Sequence, residues 1–156
     1  MYLKEIEILG FKSFADKLTI SLDEDITCVV GPNGSGKSNI VDAVRWVLGE
    51  QSVKSLRGDN LMSDIIFSGS KNRNPLNVAS VTLTFDNSDN YLNIAFDEVA
   101  IKRRLYKDGT NEFYINNEKT QVLLVGLFTF CIAAFTISRR KNGLRNFACV
   151  LCAAIF

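Results

Sequence analysis

Ile26-Thr27-Cys28-Val29-Val30-Gly31-Pro32-Asn33-Gly34-Ser35-Gly36-Lys37-Ser38-Asn39 runs from an apolar, β-rich segment through a glycine-rich turn into a change of period. Ile26–Val30 is short and lacks strong alternation, the pattern of a strand buried on both faces. From Lys37 onward Ile40, Val44, Val47 and Leu48 recur at helical spacing, and Gly49 stands where a C-terminal cap glycine belongs. Between strand and helix, Gly31–Ser38 satisfies the pattern G-x-x-x-x-G-K-[ST]. Glycines at Gly31, Gly34 and Gly36 let the chain turn tightly, so that successive N–H groups converge on phosphate oxygens. The helix start beyond them adds unpaired N–H groups and partial positive charge. Lys37 would set a point charge against the β- and γ-phosphates, Ser38 would offer its hydroxyl to Mg²⁺, and Asn39 would reach the α-phosphate. An ordinary glycine-rich turn gives no reason for a lysine where a helix start disfavours cations. The stretch therefore predicts a strand, a phosphate loop and a helix, with ATP and Mg²⁺ as ligands.

Outward from that stretch the chain reads as mostly strands. Tyr2–Leu9 alternates, with Ile6 and Ile8 on one face and Glu5 and Glu7 on the other. Leu18, Ile20 and Leu22 alternate with Thr19 and Ser21, and Val81, Leu83 and Phe85 alternate with Ser80, Thr82 and Thr84. Val99–Tyr106 and Glu112–Ile115 flank Lys107-Asp108-Gly109-Thr110-Asn111 as a hairpin. Residues 50–77 are polar, with Ile65-Ile66-Phe67 as their one apolar island, and are expected to form a long ordered loop. Lys102, Arg103, Arg104 and Lys107 are the one basic cluster of the body. On a strand Lys102 and Arg104 share a face and Arg103 takes the other. Two uses are open: contact with DNA phosphates without sequence readout, through Lys102, Arg104 and Lys107, or a charged edge strand that resists aggregation.

Composition narrows the chemistry. The 156 residues contain no histidine, which excludes histidine triads, histidine bases and histidine-ligated metals. Lys and Arg total 18 against 17 acidic residues, but the balance is uneven: residues 1–120 hold 14 basic and 17 acidic side chains (14 − 17 = −3), and 121–156 hold 4 and 0 (+4). Such a shift marks a boundary near residue 120. The charged, apolar start Met1–Ile8 is unlike a signal peptide, so the body is expected to be cytoplasmic. Cys28 reads as a small buried hydrophobe. Cys149 and Cys152 have the spacing of half a zinc site, yet no second pair accompanies them.

Gly10-Phe11-Lys12-Ser13-Phe14, Gly31–Asn39, Val44-Arg45-Trp46-Val47-Leu48-Gly49-Glu50, Ser55-Leu56-Arg57-Gly58 and Asp64-Ile65-Ile66-Phe67-Ser68-Gly69-Ser70 occur in that order. Together they resemble the N-terminal head segment of SMC proteins, the ATPases of chromosome condensation and segregation, in their bacterial form. The resemblance covers residues 1–119 almost continuously. It implies an α/β fold of the P-loop NTPase class, one lobe of an ABC-type ATPase head with mixed strands around the phosphate-loop helix. It assigns Arg57 to an arginine-finger position and Lys12 and Ser13 to a segment beside the nucleotide. As partners it implies DNA, the C-terminal half of the head, a second SMC head and kleisin-type subunits, in a cytoplasmic, nucleoid-associated setting. A head of a related DNA-repair ATPase is the alternative within the same fold. The family's glutamine loop, signature loop and acidic metal-holding strand have no match in residues 1–156, so this segment is expected to bind ATP without hydrolysing it.

After Gln121 the texture changes. Val122–Ile137 is sixteen residues without a charge, followed by Ser138-Arg139-Arg140-Lys141 and a second apolar stretch, Phe147–Phe156. As a helix, sixteen residues reach about 24 Å, short of the roughly 30 Å hydrocarbon core. Three origins stay open: membrane insertion anchored by Arg139-Arg140-Lys141, packing on the sheet, or out-of-frame sequence. The sudden end of the resemblance speaks for the third. A membrane-associated fragment without ATPase activity is the corresponding reading from outside enzymes.

Overall fold

Alternation in Tyr2–Leu9 becomes strand β1, which lies between two antiparallel neighbours. The computed structural model describes residues 1–23, 27–49 and 62–121. Among them β2 is Leu18–Ser21, α1 Lys37–Val47, β3 Val78–Asp86, β4 Glu98–Tyr106, β5 Asn111–Ile115 and β6 Glu118–Thr120. They build one six-stranded sheet in the order β2-β1-β3-β4-β5-β6, and every pairing is antiparallel.

Register decides the faces. Ile6 stands opposite Ile20 and Leu83, and Leu83 opposite Ile101, so one apolar row crosses four strands. The next row, Leu18, Ile8, Val81, Arg103 and Phe113, is apolar except for Arg103. On the other face the corresponding row reads Thr19, Glu7, Thr82, Lys102, Tyr114 and Lys119. Helix α1 packs against β3 and β4 and buries Ala43, Val44, Trp46 and Val47 on the apolar face. Among the described residues helix and sheet share their core on this side, as in antiparallel sheets with one apolar and one polar face.

Left-handed backbone shapes two of the turns around the sheet. The β5–β6 turn places Asn116 at φ 49 and Asn117 at φ 68, the paired left-handed conformation that tight hairpins favour. At Gly10, φ is 65 and an added Cβ would lie 2.2 Å from the Val78 carbonyl oxygen, so the position admits only glycine. That turn sends Phe11 into the core, where it bridges to Ile66. Lys12 N–H donates to the Ile65 carbonyl at 2.7 Å, and Phe67 N–H donates to the Gly10 carbonyl at 2.8 Å. The apolar island of the expected loop is therefore a wall of the core, preceded by a single 3₁₀ turn at Met62–Ile65.

Two expectations are corrected. Thr27–Val30 forms no strand, and Val29 and Val30 are exposed rather than buried on both faces. A doubly buried strand needs a neighbour on each side, and none of the described strands runs beside these residues. Cys28 is exposed for the same reason. Nor is β4 an edge strand, because β3 and β5 flank it, so protection of an edge does not explain its charges. The expected arginine finger Arg57 and the tail from residue 122 lie outside the described residues.

Candidate nucleotide-binding site

Gly36 caps α1 at φ 91 and Gly34 takes φ 82, both left-handed conformations that suit glycine. Ser35 N–H donates to the Pro32 carbonyl at 3.3 Å and Asn39 N–H to the Gly36 carbonyl at 2.9 Å, which bends the loop into the first turn of the helix. Lys37 lies back along the loop. Its Nζ donates to the carbonyls of Gly31 and Pro32, each at 2.7 Å, so the ammonium stands over the bend that the loop encloses. Gly31, Pro32, Asn33, Gly34 and Ser35 are exposed, and so is Ser38 at the second helical position.

The chain behind the loop comes from the turn after β1. A Cβ at Gly36 would meet Ser13 Oγ at 3.0 Å and Phe14 Cζ at 3.3 Å, and one at Gly31 would meet Ser35 Oγ at 2.8 Å. Asn39 Nδ2 donates to Ser13 Oγ at 2.7 Å. Lys12 Nζ pairs with Asp42 one helical turn further along, at 2.7 Å, with both side chains mostly shielded from water. Gly31–Asn39, Lys12 and Ser13, distant in sequence, are thereby gathered around the N-terminal turn of α1. Asp42 was not anticipated. Its position three residues after Asn39 puts both on one helical face, but only the φ 49 turn at Lys12 brings the cation to it.

An anion fits this place. Asn39 N–H reaches the Gly36 carbonyl, while the N–H groups ahead of it at a helix start have no acceptor one turn back, and the helix dipole adds positive character there. No acidic side chain lies in the first turn. Glycine at 31 and 36 keeps the bend clear of Cβ contacts with Ser35 and Ser13. The chemistry of the donors suits a polyphosphate, with Ser38 as the hydroxyl a divalent cation would take.

The second expected site is on the opposite side of the sheet. Lys102 and Arg104 point away from α1, the Arg104 guanidinium lies 5.5 Å from the Tyr114 ring, and Lys102 Nζ donates to Asn117 at 3.2 Å. Lys107 is exposed in the following turn. Glu112 accepts from Lys119 and Tyr114, which holds its carboxyl below the ordinary range and raises both partners.

Arg103 lies on the apolar face, as alternation expects. It is 2% exposed. Burial lowers its pKa to about 10.

The sequence model described as the RecF/RecN/SMC N terminal domain matches residues 2–127. The chain belongs to this family. The chain is 57% identical over 122 residues to the chromosome partition protein Smc of Lactiplantibacillus plantarum, covering 78% of this chain and 10% of that protein. It is 58% identical over 118 residues to the Smc of Bacillus subtilis, covering 76% and 10%. It thus spans about a tenth of these relatives. Among solved structures, one described under ATP-driven dimerization and DNA-stimulated activation of SMC ATPases superposes with a TM-score of 0.79 at 38% identity, covering 84% of this chain and 79% of that one. An Smc head bound to the C-winged helix domain of ScpA gives 0.77 at 41% identity, covering 81% and 39%. A RecF–ATP structure shares the fold at 22% identity and a TM-score of 0.58. The α/β head fold and the SMC kinship are both established.

Proposed function

We propose that this chain is the ATP-binding N-terminal part of an SMC-type protein of chromosome condensation and segregation. The observation that supports it most is the Lys37 ammonium held over the Gly31–Pro32 carbonyls, beside a helix start backed by Ser13 and Asn39. In this reading Gly31–Ser38 wraps the phosphates, Asn39 orients the α-phosphate, and Lys12 and Ser13 line the nucleotide. Ser38 holds Mg²⁺, which neutralises phosphate charge. Arg57 serves as the arginine finger. Hydrolysis belongs to a head completed by its C-terminal half and a second head, with a kleisin-type subunit as a further partner, in the cytoplasm at the nucleoid. Identity above one half to Smc proteins, against a RecF likeness at the level of fold, favours this over a DNA-repair head. Residues 1–120 form the head segment and 121–156 a separate tail. No helix among the described residues is long and apolar enough to cross a membrane.

DNA is the second ligand of this reading, bound without sequence preference by Lys102 and Arg104 on the polar sheet face and by Lys107 in the turn after β4. A titration with a fluorescent ATP analogue, run on the wild type and on Lys37→Ala, tests the loop. Loss of at least about tenfold in affinity is expected, since a charge-assisted contact to phosphate is removed. Equal affinity would remove the site.

A further inference from the structure

We propose that Arg103 is a positioning residue for the phosphate loop: from inside the sheet it holds the C-terminal end of α1 and so sets the pose of the loop at the other end. The consequence for nucleotide affinity rests on the nucleotide reading of that loop.

Arg103 occupies a position where a charge is expensive. It faces the core between Val81 and Phe113, with Ile101 and Leu105 along its own strand, while its neighbours Lys102 and Arg104 reach water. Among the described residues no carboxylate pairs with it. An apolar side chain would fill such a place without the desolvation cost. Its hydrogen bonds indicate what the cation does there. Nη1 donates at 2.6 Å to the Trp46 carbonyl, which also accepts from Gly49 N–H at 3.4 Å, at the end of α1 where negative character gathers. Nε donates to Asn111 Oδ1 on β5 at 3.1 Å. The guanidinium carbon lies 4.6 Å from the Trp46 ring and 4.7 Å from the Phe113 ring. One side chain therefore ties the helix end to the β4–β5 hairpin.

From Trp46 the contacts lead to the loop. The Trp46 ring lies 5.4 Å from that of Phe11. Phe11 opens the segment whose Ser13 accepts from Asn39 and whose Phe14 packs where a Cβ at Gly36 would stand. Helix α1 has eleven residues, about 16 Å of rigid rod, so a tilt released at Trp46 is carried to Lys37. Displacement of about 1 Å at a positioned group is enough to weaken what it holds.

The test uses the full chain with Arg103→Met, which keeps bulk and removes the donors, and Arg103→Lys, which keeps the charge and loses the fork. Affinity for the ATP analogue is measured at a temperature where each variant is fully folded by circular dichroism. Amide hydrogen exchange across 31–39 is measured without nucleotide. Arg103→Met is expected to bind about tenfold more weakly, equivalent to about 1.4 kcal/mol, with faster exchange across 31–39 and partial recovery in Arg103→Lys. A folded Arg103→Met with wild-type exchange across the loop overturns the proposal, and so does faster exchange with unchanged analogue affinity. Should Arg103→Met not fold, the same comparison on Arg103→Lys decides, with wild-type values overturning it. If the wild type binds no analogue while Arg103→Met still speeds exchange across 31–39, the nucleotide reading fails and the hold of Arg103 on the loop stands.

Discussion

Gly10 and Gly109 both adopt a left-handed backbone, yet they answer differently to an added methyl group. At Gly10 a Cβ would lie 2.2 Å from the Val78 carbonyl oxygen, whereas at Gly109 nothing stands within 4 Å. Gly109→Ala should cost about 1 kcal/mol, the conformational penalty alone. Gly10→Ala should cost about 2 kcal/mol or more, because strain and a backbone clash add. Denaturant unfolding of both variants measures the difference. Equal losses would mean that the close approach at Gly10 relaxes without cost. The residue scale is also where sequence is least informative about partners. Asp42 lies on a helical face that periodicity gives, but its ion pair with Lys12 depends on a turn thirty residues away. The same holds for Arg103: alternation assigns its face, and only packing shows the Trp46 carbonyl beneath it.

Among the elements, those with their own periodicity were legible. Strands β1, β2 and β3, the β4–β5 hairpin and helix α1 all lie where alternation or helical spacing puts them, and Gly49 follows the helix at φ 100 as a cap should. Thr27–Val30 was not legible, because a strand without alternation owes its state to neighbours that local sequence does not specify. The role of Ile65-Ile66-Phe67 was hidden for a related reason: its bonds are to Gly10 and Lys12, far along the chain. Strand β4 tests how strictly the faces divide. Ile101→Ala, at 0% exposed, should cost about 2–5 kcal/mol. Lys102→Glu, one residue away on the polar face, should change stability by about 0.5 kcal/mol or less. Thermal or urea unfolding separates the two, and similar losses would mean that the faces are not distinct.

For the whole molecule, charge is arranged so that the phosphate loop and the basic patch lie on opposite sides of one sheet. If Lys102, Arg104 and Lys107 each neutralise a DNA phosphate, the logarithm of the binding constant should fall with the logarithm of salt at a slope of about −2.7. Charge reversal at Lys102 and Arg104 together should flatten that slope by about 2. A slope that stays unchanged in the double variant would place DNA elsewhere. Acid stability follows from three carboxyls, Asp108 exposed and Asp86 and Glu112 half-buried. Asp86 is held below its ordinary value near 3.8 first by the Ser88 hydroxyl, Asp108 likewise by the Thr110 N–H, and Glu112 below 4.5 by Lys119. Depressed values in the folded state mean that their contribution is complete above the ordinary carboxylate range and is lost as pH falls through the lowered values. The melting temperature should thus fall below about pH 4, and a Glu112→Gln, Asp108→Asn double variant should lose less on acidification than the wild type. An equal loss would assign acid sensitivity to other groups.

The phosphate loop carries the account, and calorimetric titration of the full chain with the magnesium complexes of ATP, ADP and AMP examines it most directly. If Lys37 and the Gly31–Ser38 backbone hold the β- and γ-phosphates as proposed, ATP should bind at least about tenfold more tightly than AMP. Equal affinities for ATP and AMP would contradict a grip on the triphosphate.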